Sequence, residues 1–313
     1  MLWLVLPFAG LFLLLSLAVD PILTSHLILK VQNEGPYKVH RLLNETSATE
    51  SPIFGNSRGL NGFSIDSIGI NGFNYSINGA QFEAVIFLLE QELAKDKQSD
   101  IFVCFDFEFF KEGIGDPYNY VPSTDNEAVV AFLKQSGAYN PVYRVPLIRY
   151  YGAFERFVNH YIGYTYGGSS NCAYIKGSSL CDLAVSDQQR KLAERVSLTF
   201  GYDREMDRIF TRLITEGNPH RRRIWLIVPP YLPVIYRDQK EIDALLTYLK
   251  QLSKTPHIGY FFGDGRTYPE SCFRDVTHLN QKGAIRFSQE IRTFLQNQKS
   301  KELDVPLRPH FSR

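Results

Sequence analysis

Residues 80–107 read AQFEAVIFLLEQELAKDKQSDIFVCFDF and contain the pattern that decides the fold. In the first half, apolar residues recur every three or four positions, which predicts an amphipathic helix. These residues are Phe82, Val85, Ile86, Leu89 and Leu93. Residues 101–107 are a continuous apolar run broken only by Asp106, as in a parallel strand buried on both faces. A helix followed by such a strand is one unit of a parallel α/β sheet.

Similar units extend in both directions from this stretch. Further apolar runs predict strands at 51–55, 73–77, 224–228 and 258–262, and helical spacing recurs at 242–252 and 284–295. Alternating strands and helices predict an α/β fold: a doubly wound (flavodoxin-like), mainly parallel sheet in three α/β/α layers. Ligands bind such sheets beyond the carboxyl ends of the strands. Ser57, Gly79, Asp106 and the loop before the last helix should lie there.

Composition limits the class of protein. The 313 residues include 34 basic and 33 acidic side chains, so the formal net charge is +1. A nucleic-acid binder needs a dense basic face, and this balance argues against one. Hydrophobic residues make up 44% of the chain and charged residues 21%, which indicates a globular fold. The aromatic share of 14% suggests an aromatic-rich core or a surface that contacts carbohydrate.

The N-terminus predicts export. Residues 2–19 carry no charged side chain, which is just enough for a helix to cross the hydrocarbon core of a membrane. We interpret residues 1–20 as an uncleaved transmembrane signal anchor that ends at Asp20-Pro21. A cleaved signal peptide is the alternative, because Ser16-Leu17-Ala18 resembles a cleavage site. Either interpretation puts the rest of the chain on the exported, periplasmic or extracellular side.

The remaining chain divides into four parts. Residues 21–50 are predicted to be a polar tether and residues 51–297 the α/β domain. An insertion is expected around 108–185, and residues 298–313 are predicted to be a loose tail. Tyrosines in the insertion could stack on sugar rings or pack as an aromatic cluster; they are Tyr150, Tyr151, Tyr161, Tyr164 and Tyr166.

The four cysteines agree with an oxidising compartment. Cys172 and Cys181 flank a Gly/Ser-rich stretch and could close a small disulfide loop. Cys104 lies in the apolar run and is expected to be a buried small hydrophobe, while its pairing with Cys272 stays open. No cysteine or histidine spacing fits a zinc site. The sequence predicts no metal and no organic cofactor.

Three residues carry candidate chemistry: Ser57, Asp275 and His278. Ser57 follows the first strand in Gly55-Asn56-Ser57-Arg58-Gly59, and the other two lie in Asp275-Val276-Thr277-His278 before the last helix. A serine hydroxyl becomes a nucleophile when a base takes its proton, and histidine does so near neutral pH. A carboxylate must hold the imidazole in the correct tautomer, and an aspartate three residues earlier can reach it.

This ordered set resembles the SGNH (GDSL-like) hydrolases. The resemblance is closest to their membrane-anchored bacterial branch, which includes relatives of the D-alanyl-lipoteichoic acid transfer protein and of alginate acetyltransferases. It rests on the N-terminal anchor and four blocks, and it covers most of residues 50–110 and 220–297. The blocks are 54–58, 73–80, 102–110 and 275–280, the last with Gly283.

The resemblance assigns roles to these residues. It implies that Ser57 is the nucleophile, His278 the base and Asp275 the residue that orients the base. The backbone N–H groups of Ser57 and Gly79 would stabilise an oxyanion. The third block departs from the family pattern, because Asp106 lies near the position of an asparagine donor, and a carboxylate only accepts. Losing one donor can cost about 3–4 kcal/mol of transition-state stabilisation.

Two consequences follow from that departure. Asn74 or Asn78 could supply the missing donor, or the enzyme could be slow or act only with a partner. We also expect Arg58 and Asp106 to form a partly buried ion pair behind the site, since both follow apolar strand-like runs. A solvated Arg58 is the alternative.

The sequence as a whole therefore predicts a serine-dependent O-acyltransferase or esterase. It would carry an acyl group, most simply acetyl, to or from a cell-envelope polysaccharide or another hydroxyl acceptor. The resemblance implies a membrane-bound O-acyltransferase as partner, and nucleic acid is not expected. A simple esterase or lipase is one alternative, and a non-catalytic glycan-binding or scaffold protein is another. The missing third donor favours the latter, whereas the three intact residues argue against it.

Overall fold

The structure is a computed structural model that describes residues 2–166 and 171–303. Its strands are β1 (Ser51–Phe54), β2 (Gly72–Asn74), β3 (Ile101–Cys104), β4 (Cys172–Ile175), β5 (Ser178–Cys181), β6 (Ile224–Val228) and β7 (Ile258–Phe262). Its α-helices are α1 (Leu2–Leu23), α2 (Gly35–Asn44), α3 (Ser57–Gly62), α4 (Ile65–Ile68), α5 (Phe82–Leu93), α6 (Glu127–Gln135), α7 (Phe154–Tyr166), α8 (Asp187–Ala193), α9 (Arg204–Thr215), α10 (Gln239–Leu252) and α11 (Gln281–Leu303).

The core of the fold is a five-stranded sheet in the order β2-β1-β3-β6-β7. All of its strand pairs are parallel, so the carboxyl ends of the strands share one edge. Helices flank the sheet: α3 and α4 pack on α11, and α2 and α9 pack on α5. The arrangement is consistent with three α/β/α layers, as the alternation of strands and helices predicts. A separate antiparallel hairpin, β4–β5, lies in the insertion.

The aromatic residues are largely inside, which favours the first of the two interpretations of their abundance. Phe105 is fully buried and stacks on Phe109 with ring centroids 4.1 Å apart. Phe210 and Tyr248 continue this cluster, with centroids 4.9 Å from Phe109 and 5.7 Å from Phe105 respectively. The cluster fills the space between β3 and the helices α9 and α10.

The segment predicted as a polar tether is part of the folded domain. Residues 35–44 form α2, in which Val39 and Leu42 are fully buried. Lys38 is also buried, and its Nζ donates to the carbonyl oxygens of Ser76 (2.6 Å) and Gly177 (2.7 Å). The tether prediction is wrong because α2 has a short apolar face, interspersed with polar residues in the sequence, and the helix packs on α5.

The two ends of the chain also differ in part from expectation. Among the described residues, one helical stretch is long and apolar enough to cross a membrane, Gly10–Ile28, with a mean hydropathy of 1.9. It includes the end of α1 and a π-helical turn at Thr24–Ile28. At the other end, α11 continues to Leu303, so the predicted tail begins as helix. Residues 304–313 lie outside the described residues.

Candidate active site

The nucleophile block is a tight turn from β1 into α3. Asn56 caps the helix, because its Oδ1 accepts the backbone N–H of Arg58 at 2.9 Å. Gly59 lies so close to β2 and β3 that a Cβ there would be 2.4 Å from Ser76 Oγ. The residue type at that position is therefore dictated by close packing. This turn places Ser57 at the first position of α3, at the carboxyl edge of the sheet.

The last block is a closed loop before α11. An isolated bridge pairs Phe273 with Leu279, and the Arg274 N–H donates to the His278 carbonyl at 3.1 Å. Asn280 ties the ends of the loop together, since its N–H donates to the Cys272 carbonyl at 3.0 Å. The loop therefore turns the side chains of residues 275 and 278 toward each other.

The structure brings Ser57, His278 and Asp275 together in one chain of hydrogen bonds. Ser57 Oγ lies 2.8 Å from His278 Nε2. His278 Nδ1 lies 2.9 Å from both carboxylate oxygens of Asp275. An ionised carboxylate only accepts, so Nδ1 carries the proton and Nε2 is left to accept the Ser57 hydroxyl proton. This is the geometry that nucleophilic catalysis by serine requires.

Asp275 is held in its ionised form. Burial alone would raise the pKa of its carboxyl, but the hydrogen bond and charge interaction with His278 lower it. The backbone N–H groups of Thr277 and His278, each 2.9 Å from Oδ1, lower the pKa further. The net pKa lies below the ordinary value of 3.8. The carboxylate is therefore available to orient the imidazole at neutral pH.

A cleft of about 220 Å³ opens beside the nucleophile. Ser57 and Gly79 both line it, together with the side chains of Gln81, Glu108 and Lys111. Gly79 adopts a φ of +72°, in the left-handed region that favours glycine. Among the hydrogen bonds of the described residues, none is donated by the backbone N–H of Ser57 or Gly79. Within the described part of the chain, neither N–H group is thus committed to another acceptor.

Asn74 and Asn78, the two asparagines considered as a third donor, are not among the described residues that line the cleft. Asn74 is fully buried, and its Nδ2 donates to the Gly59 carbonyl (2.9 Å) and to Ser178 Oγ (3.1 Å). Both of its N–H groups therefore hold the fold together. Asn78 is exposed and lies outside the set of described residues that line the cleft. The prediction of an oxyanion role for Asn74 is wrong because both N–H groups of its amide have buried partners, whereas the role of Asn78 stays a prediction.

Arg58 and Asp106 lie behind the site, as an ion pair with both side chains nearly inaccessible. Arg58 Nη1 is 3.7 Å from Asp106 Oδ2. The guanidinium stacks on the Tyr231 ring, 3.3 Å from its centroid. Its Nε donates to the Thr277 carbonyl at 3.1 Å, and its Nη2 donates to the Pro229 carbonyl. Arg58 thereby links the nucleophile turn to the loop that carries Asp275 and His278.

Sequence reasoning missed Arg274. Its Nε lies 3.2 Å from Asp275 Oδ2, and its Nη1 donates to Asn61 Oδ1 at 2.9 Å. Arg274 thus connects the orienting carboxylate to α3, which carries the nucleophile. The signal available in the sequence was the adjacency of an arginine to Asp275, but adjacency does not show which way a side chain points.

The β4–β5 hairpin of the insertion packs against α3 through β5. Cys172 and Cys181 form a disulfide that joins its two strands. Cys104 and Cys272 are separate buried thiols. The Asn74 N–H donates to the Lys176 carbonyl at 2.9 Å, so the hairpin turn is attached to β2. The insertion therefore supports the site from outside the sheet.

Two further observations bear on the kind of site. Within residues 2–166 and 171–303, no cluster of three or more His, Cys, Asp or Glu side chains could hold a metal ion. No protein-family model matches the chain, and no curated protein matches it.

Proposed function

We propose that this protein is a serine-dependent acyl-transfer enzyme of the SGNH (GDSL-like) hydrolase type. The observation that carries the proposal is the unbroken hydrogen-bond chain from Ser57 through His278 to Asp275. The strand order β2-β1-β3-β6-β7 supports it, because that order is the one of the flavodoxin-like, doubly wound fold. The chemistry lies beyond the carboxyl ends of the strands, where ligands of such sheets bind.

The first half of the reaction acylates the serine. Ser57 Oγ attacks the acyl carbonyl carbon while His278 Nε2 takes the hydroxyl proton. The carbonyl oxygen becomes an oxyanion that accepts from the N–H groups of Ser57 and Gly79. When the tetrahedral intermediate collapses, the bond to the leaving group breaks, and that group takes the proton from Nε2. The product is an acyl ester of Ser57.

The second half transfers the acyl group. An acceptor hydroxyl gives its proton to His278 Nε2 and attacks the acyl carbon. Ser57 Oγ leaves and recovers the proton from Nε2. Asp275 remains ionised throughout and stabilises the imidazolium that forms twice. With water as acceptor, the same steps make the protein an esterase.

We further propose that the enzyme is anchored by α1 and works on the exported side of a membrane. The apolar stretch Gly10–Ile28 has the length of a span, and the Cys172–Cys181 disulfide suits an oxidising compartment. The acceptor would be a cell-envelope polysaccharide and the acyl group most simply acetyl. A membrane-bound O-acyltransferase would deliver the acyl group across the membrane. These assignments come from the resemblance to the family.

The direct test is covalent capture of the nucleophile. The full chain in detergent is treated with a fluorophosphonate probe, and the modified peptide is identified by mass spectrometry. We expect modification at Ser57, none in Ser57→Ala, and strongly reduced labelling in His278→Ala because the hydroxyl keeps its proton. Absence of labelling in a protein whose circular dichroism is native would exclude the nucleophile and favour the glycan-binding alternative.

A second measurement separates transferase from esterase. Labelled p-nitrophenyl acetate is offered with and without soluble polysaccharide, and both p-nitrophenol release and label on the glycan are followed. A transferase moves label to the glycan faster than to water. Release that is unaffected by any hydroxyl acceptor would identify a simple esterase.

A further inference from the structure

The face of α1 that turns toward the domain is polar. Ser16, Asp20 and Thr24 are spaced four residues apart and are all buried. Asp20 Oδ1 accepts the Leu147 N–H at 2.7 Å and Arg149 Nε at 3.0 Å. These contacts fix residues 147–149 of the insertion at the same level along the helix as Asp20.

The next turn repeats this attachment. Thr24 Oγ1 lies 2.5 Å from the Tyr150 hydroxyl and accepts from Arg149 Nη2 at 2.9 Å. The helix α7 packs against the π-helical turn Thr24–Ile28. The insertion therefore wraps one side of the last turns of the apolar stretch and is hydrogen-bonded to it.

The other face of α1 is apolar and exposed at this same level. Leu17, Val19 and Ile22 are all exposed, and Ile22 is 59% accessible. A helix rises 1.5 Å per residue, so Ile22 lies only about 3 Å along the axis from Asp20. If the bilayer surrounds α1 as far as Ile22, it must also meet residues 147–149.

Residues 142–166 of the insertion, which include the residues bonded to Asp20, carry exposed apolar side chains, and we call them the collar. Tyr151 is 83% and Tyr166 77% accessible. Further exposed apolar side chains of the collar are Val145, Ile148, Phe154 and Ile162. Phe154, Ile162 and Tyr166 share one broad face of α7, while Phe157 on another face is buried against the Tyr150 ring, with centroids 5.8 Å apart. The polar residues Glu155, Asn159 and Thr165 are exposed on the same face of α7, so this face is mixed, with aromatic and aliphatic side chains among polar ones. Such a mixture is typical of a surface at the boundary between water and lipid.

We propose that the collar lies in the interfacial region of the bilayer that α1 crosses, with lipid as its occupant. This rests on the anchoring part of the proposed function and goes beyond it, because it makes part of the α/β domain membrane-embedded. Lipid is favoured because the collar continues the apolar face of α1 at one level. Tyrosine and phenylalanine with exposed rings are typical of segments that lie in the interface.

The collar is also connected to the active-site cleft. Gly115 packs against the Gly79 loop, since a Cβ there would lie 2.4 Å from the Gly79 carbonyl oxygen. One residue on, Asp116 forms an ion pair with Arg156 of α7, and the Tyr118 hydroxyl donates to the Tyr151 carbonyl at 2.5 Å. Residues 115–118 thus connect the loop that lines the cleft to the collar.

The test measures lipid contact in the full chain reconstituted in nanodiscs. Single cysteines are introduced by Tyr151→Cys and Ile162→Cys in the collar and labelled with bimane. The native thiols Cys104 and Cys272 are buried, so the unchanged chain measures background labelling. Leu14→Cys on the exposed face of α1 is the reference for the anchor. Lys254→Cys, exposed before the amino end of β7, is the reference for water.

We expect both collar labels to lose roughly half or more of their fluorescence to lipids carrying a shallow nitroxide, and to be protected from iodide. The Lys254→Cys label should behave in the opposite way. If iodide quenches the collar labels as strongly as the Lys254→Cys label, while lipid quenches the Leu14→Cys label, the proposal that the collar contacts lipid is overturned and the membrane anchor is retained. Protection from both quenchers would also overturn it and indicate a second copy of the chain as occupant. If Leu14→Cys is not quenched by lipid, the anchor itself fails, whatever the fluorophosphonate labelling of Ser57 shows.

Discussion

The active-site loops and the collar arrange polar and apolar residues in opposite ways. Around the candidate site, the apolar residues are inside, and Ser57, which is hydrogen-bonded to His278, lines a cleft. Around the end of α1, Asp20 and Arg149 are turned inward, and the tyrosine, leucine and isoleucine side chains point outward. Both regions obey the rule that a buried charge needs a partner. The difference suggests that the two regions face different surroundings, water in one and lipid in the other.

The largest effect is expected from Asp275→Asn. The asparagine can occupy the same space but favours the wrong imidazole tautomer, and the rate should fall about 10⁴-fold. Hydrolysis of p-nitrophenyl acetate by the full chain measures it. Asp238→Asn is the matched control, because Asp238 caps α10 through the Lys240 N–H and should tolerate the change. Equal rates for the two variants would show that the hydrogen-bond chain is not catalytic.

The next effect concerns the ion pair behind the site. Arg58→Met leaves the Asp106 carboxylate buried without its charge partner, which should cost about 3–5 kcal/mol of stability. Arg58→Lys keeps the charge but cannot reach both the Thr277 and Pro229 carbonyls. We therefore expect the lysine variant to recover part of the stability and little of the kcat. Urea unfolding and kcat measured on the same samples separate the two effects, and full recovery of kcat in Arg58→Lys would refute the positioning role.

The corresponding ion pair of the collar gives a smaller effect. Arg149→Met leaves Asp20 with the Leu147 N–H as its partner, and the loss should be about 1–3 kcal/mol. Arg144→Met is the control, since the Arg144–Glu127 pair is exposed and should contribute little to stability. Thermal unfolding in nanodiscs measures both. Indistinguishable variants would contradict a structural role for the Asp20–Arg149 contact.

The pH dependence of stability sharpens the description of the site. The pKa of Asp275 is lower in the folded protein than its ordinary value of 3.8. This carboxylate therefore contributes stability that is present above pH 3.8 and is lost as the pH falls toward the lowered pKa. The difference in unfolding free energy between the unchanged chain and Asp275→Asn should shrink as the pH falls below about 4. Denaturant unfolding at several pH values measures it, and a difference that widens on acidification would contradict the assignment.

The sequence predicted those elements whose local residue pattern is compatible with only one structure. The strands at 224–228 and 258–262 match β6 and β7 at both ends, because β-branched and aromatic runs end at Pro229-Pro230 and at Gly263. The spacing of Asp275 and His278 likewise allows a local contact that needs no other part of the chain. Such features follow from neighbours in sequence.

The missed features depend on residues far apart in sequence. The helix α2 was missed because it is short and its apolar residues are interspersed with polar ones, and only the docking of Val39 and Leu42 in the core makes it a core helix. The polar face of α1 was not noticed because Asp20 looks like a stop signal until Arg149, 129 residues later, is placed beside it. Arg274 is of the same kind, since its partner Asn61 is distant.

The smallest effect is expected at Asn78, and the contrast with Asn74 tests how the oxyanion is held. Asn78→Ala removes an exposed amide that is not among the residues lining the cleft. The variant should therefore leave both the rate and the stability unchanged within error. Asn74→Ala removes an amide that binds the Gly59 carbonyl and Ser178 Oγ, and leaving these buried groups unsatisfied should cost about 1–3 kcal/mol of stability. At temperatures where both variants remain folded, any loss of rate in Asn74→Ala should come only from a displacement of Gly59 and α3. Chemical denaturation and p-nitrophenyl acetate turnover measure the two quantities separately. A large loss of rate in Asn78→Ala at unchanged stability would mean that the loop at residues 78–79 moves during catalysis and brings that amide to the oxyanion. An unchanged rate would leave the backbone N–H groups of Ser57 and Gly79 as the donors.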